Sequence, residues 1–120
     1  DVKEIVAAVE RYGLQKRVEY IAFGRKHCLD LIALGKGLKV SYLAANKNSA
    51  WTPKELKEKG FYGLDYSAGL LRECHEWITE AHKLGLDVNV WTVNSPVDVD
   101  EFFNMGVDKV TTDIPALYKK

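Results

Sequence analysis

Residues 88–115, VNVWTVNSPVDVDEFFNMGVDKVTTDIP, constrain the fold most, because they read as one complete strand–helix–strand unit. The run 88–93 is rich in β-branched and aromatic residues and predicts a strand. Asn94-Ser95-Pro96 stops it: Ser95 can cap a helix, and Pro96 suits the first helical position, where no N–H is needed. Asp98, Asp100 and Glu101 crowd the first turns, where the helix dipole favours negative charge. Val97, Phe102 and Met105 supply apolar contacts, and Gly106 ends the helix in the manner of a left-handed cap. Residues 107–112 form the next strand, and Asp113-Ile114-Pro115 opens a further helix, with Asp113 as its cap. Two strands joined by so short a helix are parallel, with a right-handed crossover.

The same alternation extends through the chain. Residues 1–15 predict an amphipathic helix with Val2, Ile5, Val6 and Val9 on one stripe. Strands follow at 18–23, 38–43 and, more weakly, 62–67. Helices follow these at 24–34, 52–60 and 70–84, the last with Leu71, Cys74, Trp77, Ile78 and Ala81 on one stripe and Gly85 as its cap. The longest polar loop is 44–51. About five strands, each followed by a helix, predict a parallel α/β sheet.

Two architectures satisfy that pattern. One is a doubly wound domain of the flavodoxin or response-regulator type; the other is part of a (β/α)₈ barrel, which spans about 250 residues when complete. Response-regulator chemistry needs acidic residues after the first strand, whereas Gly24-Arg25-Lys26-His27 follows it here.

At 120 residues the chain is a single domain at most, and 47% hydrophobic with 28% charged residues is ordinary for a globular protein. Lys+Arg and Asp+Glu both number 17, so no global field recruits nucleic acid or an anionic membrane. No apolar run reaches transmembrane length, and Asp1 opens a polar helix rather than a signal peptide. Cys28 and Cys74 lack CxxC or zinc-ligand spacing and read as buried free thiols.

Trp91-Thr92-Val93-Asn94, followed by Gly106-Val107-Asp108 and Thr112-Asp113-Ile114-Pro115, resembles the C-terminal signature of the glycerophosphodiester phosphodiesterase family. That family has a Trp-Thr-Val-Asn strand, a Gly-Val-Asp turn and a Thr-Asp-x-Pro ending in this order and at this spacing. The resemblance covers most of the chain, from about Val18 onward. It implies a TIM-type (β/α)₈ barrel of which residues 1–120 form a single C-terminal portion, the fourth to eighth strands, with the first three strands absent. It implies hydrolysis of a small-molecule glycerophosphodiester to glycerol 3-phosphate and an alcohol, with Ca²⁺ or Mg²⁺ as cofactor. The family's acid, base and metal ligands lie in a His-Arg-Gly segment, a Glu-x-Asp pair with a His, and a Glu-x-Lys on the first three strands. No His-Arg-Gly, no Glu-x-Asp and no Glu-x-Lys on a strand occurs here, so the resemblance places no catalytic residue and no metal ligand in this chain, and the chain alone is expected to be inactive.

What carries over is the substrate wall. Trp91 matches the family's Trp and would pack on the glycerol moiety. Phe23 resembles the aromatic of the family's Ser-Phe on the fourth strand, with Ala22 where the Ser stands. Strand alternation puts Asn89, Trp91 and Val93 on one face and Val88, Val90 and Thr92 on the other. The loop 46–51 would rim the same end as a wall or lid. His27, with Arg25 and Lys26, could touch phosphate, whereas His75 and His82 read as half-exposed surface residues.

The alternative function is a non-catalytic α/β module that self-associates or binds a partner through its open sheet. In either reading the strand edges 18–23 and 109–112 need cover, from the missing N-terminal barrel portion or from another copy. The alcohol head group and the cellular compartment are not legible.

Overall fold

The computed structural model describes residues 3–4, 7, 19–22, 24–34 and 37–113. In order these form β1 (Glu19–Ala22), α1 (Arg25–Ala33), β2 (Lys39–Ala44), α2 (Pro53–Glu58), β3 (Gly63–Ser67), α3 (Ala68–Glu73), α4 (Glu76–Lys83), β4 (Asp87–Trp91), α5 (Pro96–Met105) and β5 (Lys109–Val110). The helix expected over 1–15 lies outside the described residues except at positions 3, 4 and 7, which are helical. The helix expected after Asp113 lies wholly outside them.

All the strands are parallel and lie in one sheet in sequence order. A doubly wound sheet would instead reverse its strand order and place helices on both faces. Here Cys28 and Leu31 of α1, Leu56 of α2, Leu70 and Leu71 of α3, Trp77 and Ile78 of α4, and Val99 and Phe102 of α5 all join one core. That core is completed by Val40, Tyr42, Leu64, Tyr66, Val88 and Val90 from a single face of the sheet. One-sided helices on a straight strand order match the winding of a barrel, and they remove the doubly wound alternative.

Turn chemistry sets where the elements begin and end. Before α2, the Thr52 hydroxyl accepts from the Glu55 N–H at 3.2 Å, and the Glu55 carboxylate accepts from the Thr52 N–H at 3.0 Å. This reciprocal pair satisfies two orphan donors of the first turn. After α5, Gly106 adopts φ 104°, a left-handed conformation that a side chain rarely takes up. Ser95 does occupy the cap position of α5, but its side chain makes no capping hydrogen bond. There the start rests on Pro96, which is held at the required φ by its ring.

The single helix expected over 70–84 is two. Cys74 departs from helical geometry at φ −117°, ψ 52°, closing α3 through its N–H to the Leu70 carbonyl. The apolar stripe runs through the break, with Leu71, Cys74, Ile78 and Ala81 all buried on the core. Periodicity therefore carries no mark of the interruption. Both cysteines are free thiols in this buried layer.

β3 and β4 approach closely at Gly63. A Cβ at Gly63 would lie 2.4 Å from the Asp87 carbonyl oxygen, so only glycine lets the two backbones approach this far.

Candidate functional site

The face of the sheet turned away from the helices carries Ser41 and Leu43 on β2, Asp65 and Ser67 on β3, and Asn89 and Trp91 on β4. Side chains alternate along a strand, so these positions follow from the core residues Val40, Tyr42, Leu64, Tyr66, Val88 and Val90 lying on the other side. Register aligns them in rows across the sheet. Leu43, Asp65 and Asn89 share one row, and Ser67 and Trp91 share the next toward the strands' C-terminal ends. The buried polar residues Ser41, Asp65 and Asn89 all belong to this face. An apolar face sits under the helices, and a small polar one faces the other way.

Trp91 is the last residue of β4, on this polar face and half-buried. Its indole Nε1 donates to the Asp65 main-chain oxygen at 2.8 Å, which draws the ring from β4 across toward β3. An indole held this way presents an apolar surface at a fixed angle at the C-terminal end of the sheet, where barrels place their sites. The Trp91–Thr92 peptide bond is cis.

Beyond Trp91 the segment stays tied to the strand after it. The Thr111 N–H donates to the Val90 carbonyl at 2.8 Å, and the Val93 N–H donates to the Thr111 carbonyl at 2.9 Å. Thr111 Oγ1 reaches Asn89 Oδ1 at 3.4 Å. Asn94 Oδ1 then accepts from Thr112 Oγ1 and from the Asp113 N–H, both at 2.9 Å. The Trp-Thr-Val-Asn and Thr-Thr-Asp stretches are thus one bonded unit. Asp113 contributes its backbone to this bond, and the helix it was expected to cap lies outside the described residues.

The loop 45–51 begins on the rim and ends on the helix side of the sheet. Ser67 Oγ donates to the Ala45 carbonyl at 2.7 Å, holding the start of the loop near Trp91's row. Further along, Arg25 donates to Tyr42 Oη and to the Ser49 carbonyl, each at 3.1 Å, and its guanidinium lies 4.4 Å from the Trp51 ring centroid. The Trp51 N–H donates to Tyr66 Oη, and Tyr66 Oη donates back to the Trp51 carbonyl. Tyr42 and Tyr66 belong to the helix side of the sheet, so Trp51 is folded onto that layer. The Trp51 ring therefore takes no part in the wall or lid expected of the loop 46–51. Arg25 is tied up in the same cluster instead of turning to the mouth. Lys26 and His27 are exposed in the first turn of α1.

Asp87, Lys109, Asp108 and His82 form a separate group of titratable side chains. Asp87 pairs with Lys109 at 3.0 Å, and Asp108 Oδ2 meets His82 Nε2 at 2.7 Å and accepts from the Val88 N–H at 2.8 Å. Asp87 begins β4 and Asp108 directly precedes β5, so both stand at the opposite end of the strands from Trp91. His82 is exposed, as is His75. Among the described residues no three His, Cys, Asp or Glu side chains converge as a metal ion would require. These residues do not fit a Ca²⁺ or Mg²⁺ centre. No helix among the described residues is long and apolar enough to cross a membrane.

Of the two residues expected in the substrate wall, Trp91 lies on the polar face at the C-terminal end, and Phe23 lies outside the described residues. Asp65 and Asn89 on the same face, and Asn94 beside it, were not singled out from the sequence. For Asp65 and Asn89 the signal was present, since each is the polar member of an apolar–polar alternation. The pairing of Asn94 with Thr112 and Asp113 left no local signal, because its partners stand 18 and 19 residues away.

The model of the Glycerophosphoryl diester phosphodiesterase family matches residues 1–117. No curated protein matches the chain. Among solved structures, a glycerophosphodiester phosphodiesterase from Parabacteroides distasonis ATCC 8503 is similar with a TM-score of 0.88 and 40% identity, over 97% of this chain and 47% of that one. A protein from Galdieria sulphuraria gives a TM-score of 0.82 and 27% identity, over 97% of this chain and 48% of its own. An Oleispira antarctica phosphodiesterase in complex with the product sn-glycerol-3-phosphate shares the fold at a TM-score of 0.70 and 20% identity, over 95% of this chain and 47% of that one. The chain spans about half the length of each of these structures. With its sequential parallel sheet and its Trp-Thr-Val-Asn and Thr-Asp-Ile-Pro stretches, the chain belongs to the glycerophosphoryl diester phosphodiesterase family.

Proposed function

We propose that this chain is the C-terminal portion of a TIM-type (β/α)₈ barrel, contributing five strands, and that it forms the substrate wall of a metal-dependent glycerophosphodiester phosphodiesterase. The reaction is hydrolysis of a glycerophosphodiester to glycerol 3-phosphate and an alcohol. The observation that carries this reading is Trp91, an aromatic ring anchored at 2.8 Å to the neighbouring strand on the face that no described helix covers, at the end where barrel sites lie. A fixed indole beside polar groups suits a glycerol unit, whose C–H edge packs on the ring while its hydroxyls turn to hydrogen-bonding partners. The Oleispira protein's complex with sn-glycerol-3-phosphate supports the substrate class.

Phe23 is assigned to the same wall from its match to the family's fourth-strand aromatic alone. The Ca²⁺ or Mg²⁺ ion, its carboxylate ligands and the acid and base are supplied from outside this chain. The strands that carry them pair with the outer edges of β1 and β5 and complete the barrel, or another copy takes that place. In the completed site this chain's role is orientation: Trp91 holds the glycerol end while the reaction proceeds at phosphorus.

A chimera tests the assignment. The part of the Parabacteroides protein that aligns with this chain is replaced by residues 1–120, and a set of glycerophosphodiesters is assayed with Ca²⁺ or Mg²⁺. The expected result is metal-dependent release of glycerol 3-phosphate that chelation abolishes. A chimera that folds and binds metal but releases none contradicts the reading.

A further inference from the structure

We propose that Asn94 is a positioning residue for Trp91, acting through the two hydrogen bonds its Oδ1 accepts from the strand-end segment that follows β5. This rests on the reading of Trp91 as substrate wall and adds the device that keeps the ring in place.

The geometry points to it in three steps. β5 is only two residues long, and backbone pairing to β4 continues past it through Thr111 to Val93. At the next residue the Asn94 side-chain oxygen takes over, accepting from Thr112 Oγ1 and the Asp113 N–H at 2.9 Å each. A carbonyl oxygen has two lone pairs, and both are used here for one neighbouring segment. The two donors also fix which end of the amide faces them. Only Thr92 and Val93 separate this clamp from Trp91, and Val93 is buried. The segment 91–94 is therefore held by the ladder before it and by the clamp after it.

Trp91 needs that rigidity. Its side-chain bond to the Asp65 oxygen is 2.8 Å long and joins two different strands. A hydrogen bond weakens steeply as it lengthens or bends, so a small drift of 91–94 releases the indole. Asn94 itself is exposed, as is Asp113. At such a site two hydrogen bonds add little to global stability, and their consequence is local order.

The test reads Trp91 directly. In the ¹⁵N-labelled chain the Trp91 indole N–H signal is identified by its loss in Trp91→Phe, with the Trp51 and Trp77 signals as internal references. Asn94→Leu, similar in shape but without an acceptor, is expected to raise the Trp91 indole exchange rate about tenfold, the change one such hydrogen bond makes. Asn94→Asp keeps the acceptor and is expected to keep the protection. Thr112→Val removes one of the two bonds and falls between, which serves should the Asn94→Leu chain not fold. Unchanged exchange at Trp91 in both Asn94→Leu and Thr112→Val overturns the proposal. So does equal acceleration at Trp51 and Trp77, which would mean general loosening. In the completed barrel Asn94→Leu is expected to raise KM with kcat little changed, and Asn94→Asp to restore KM. If the exchange results hold while that barrel hydrolyses no glycerophosphodiester, the clamp stands and the phosphodiesterase reading fails.

Discussion

The Trp91 indole is anchored to the main chain of Asp65, one strand over, at 2.8 Å. This bond crosses the sheet on the face that no described helix covers, and it turns a bulky apolar ring into a fixed surface. The acceptor is a backbone oxygen, so the anchor survives any change of side chain at residue 65 that leaves the strand in place. An Asp65→Asn protein is expected to keep the Trp91 indole signal at its position in the spectrum, and a large shift would show that the carboxylate itself holds the ring.

Gly63 sets the approach of the same two strands. Gly63→Ala puts a methyl group 2.4 Å from the Asp87 oxygen, a backbone atom that cannot swing aside. The expected loss is about 1–3 kcal/mol, the usual range for overpacking. Urea unfolding measures it, and an unchanged midpoint would mean that β3 and β4 have room to separate.

The capping box of α2 gives a pH-dependent prediction. The Thr52 backbone N–H, with the Thr52 hydroxyl contributing less, holds the Glu55 carboxyl below its ordinary range. A depressed folded value means the stabilisation is present above the unfolded value of 4.5 and is lost as pH falls through the folded one. NMR titration of Glu55 should therefore give a midpoint under 4.5. Thr52→Ala should cost about 1 kcal/mol at neutral pH. A normal Glu55 midpoint would show that the box is not formed.

Much of this was legible in the sequence, and the reasons differ from residue to residue. Thr52-Pro53 and Gly106 announce helix ends because their chemistry is local: a hydroxyl, a ring and a missing Cβ act on their own backbone. Trp91's face was legible because Val88 and Val90 are β-branched and Asn89 is not, and alternation does the rest. The break at Cys74 was not legible, since the apolar stripe continues through it. Nor was the fate of Arg25. A basic residue after a strand looks available for phosphate, and only the fold brings Trp51, Tyr42 and the Ser49 carbonyl close enough to occupy it. Asn94's clamp was hidden for the same reason, as its partners arrive from the far side of a helix.

The buried thiol of Cys28 carries a second pH prediction. Burial pushes it from 9.0 up to about 11. The neutral form is favoured in the fold, so stability is intact below 9 and falls as pH rises from there to about 11, where the unfolded chain alone ionises. At neutral pH, alkylation of Cys28 should track unfolding and be negligible under native conditions. Rapid labelling of the folded chain would show that the α1 layer opens.

The central claim, that this chain orients substrate while the cation and proton donors come from elsewhere, is tested most directly by one assay. Glycerophosphocholine with Ca²⁺ or Mg²⁺ is given to the chain alone and to the completed barrel, each with Trp91 and with Trp91→Ala. The account predicts no turnover by the chain alone. In the completed barrel it predicts metal-dependent turnover whose kcat/KM falls roughly tenfold or more on Trp91→Ala, a lost packing surface of about 1.4 kcal/mol or more in the transition state. Metal-dependent turnover by the chain alone, abolished by Trp91→Ala, would contradict it.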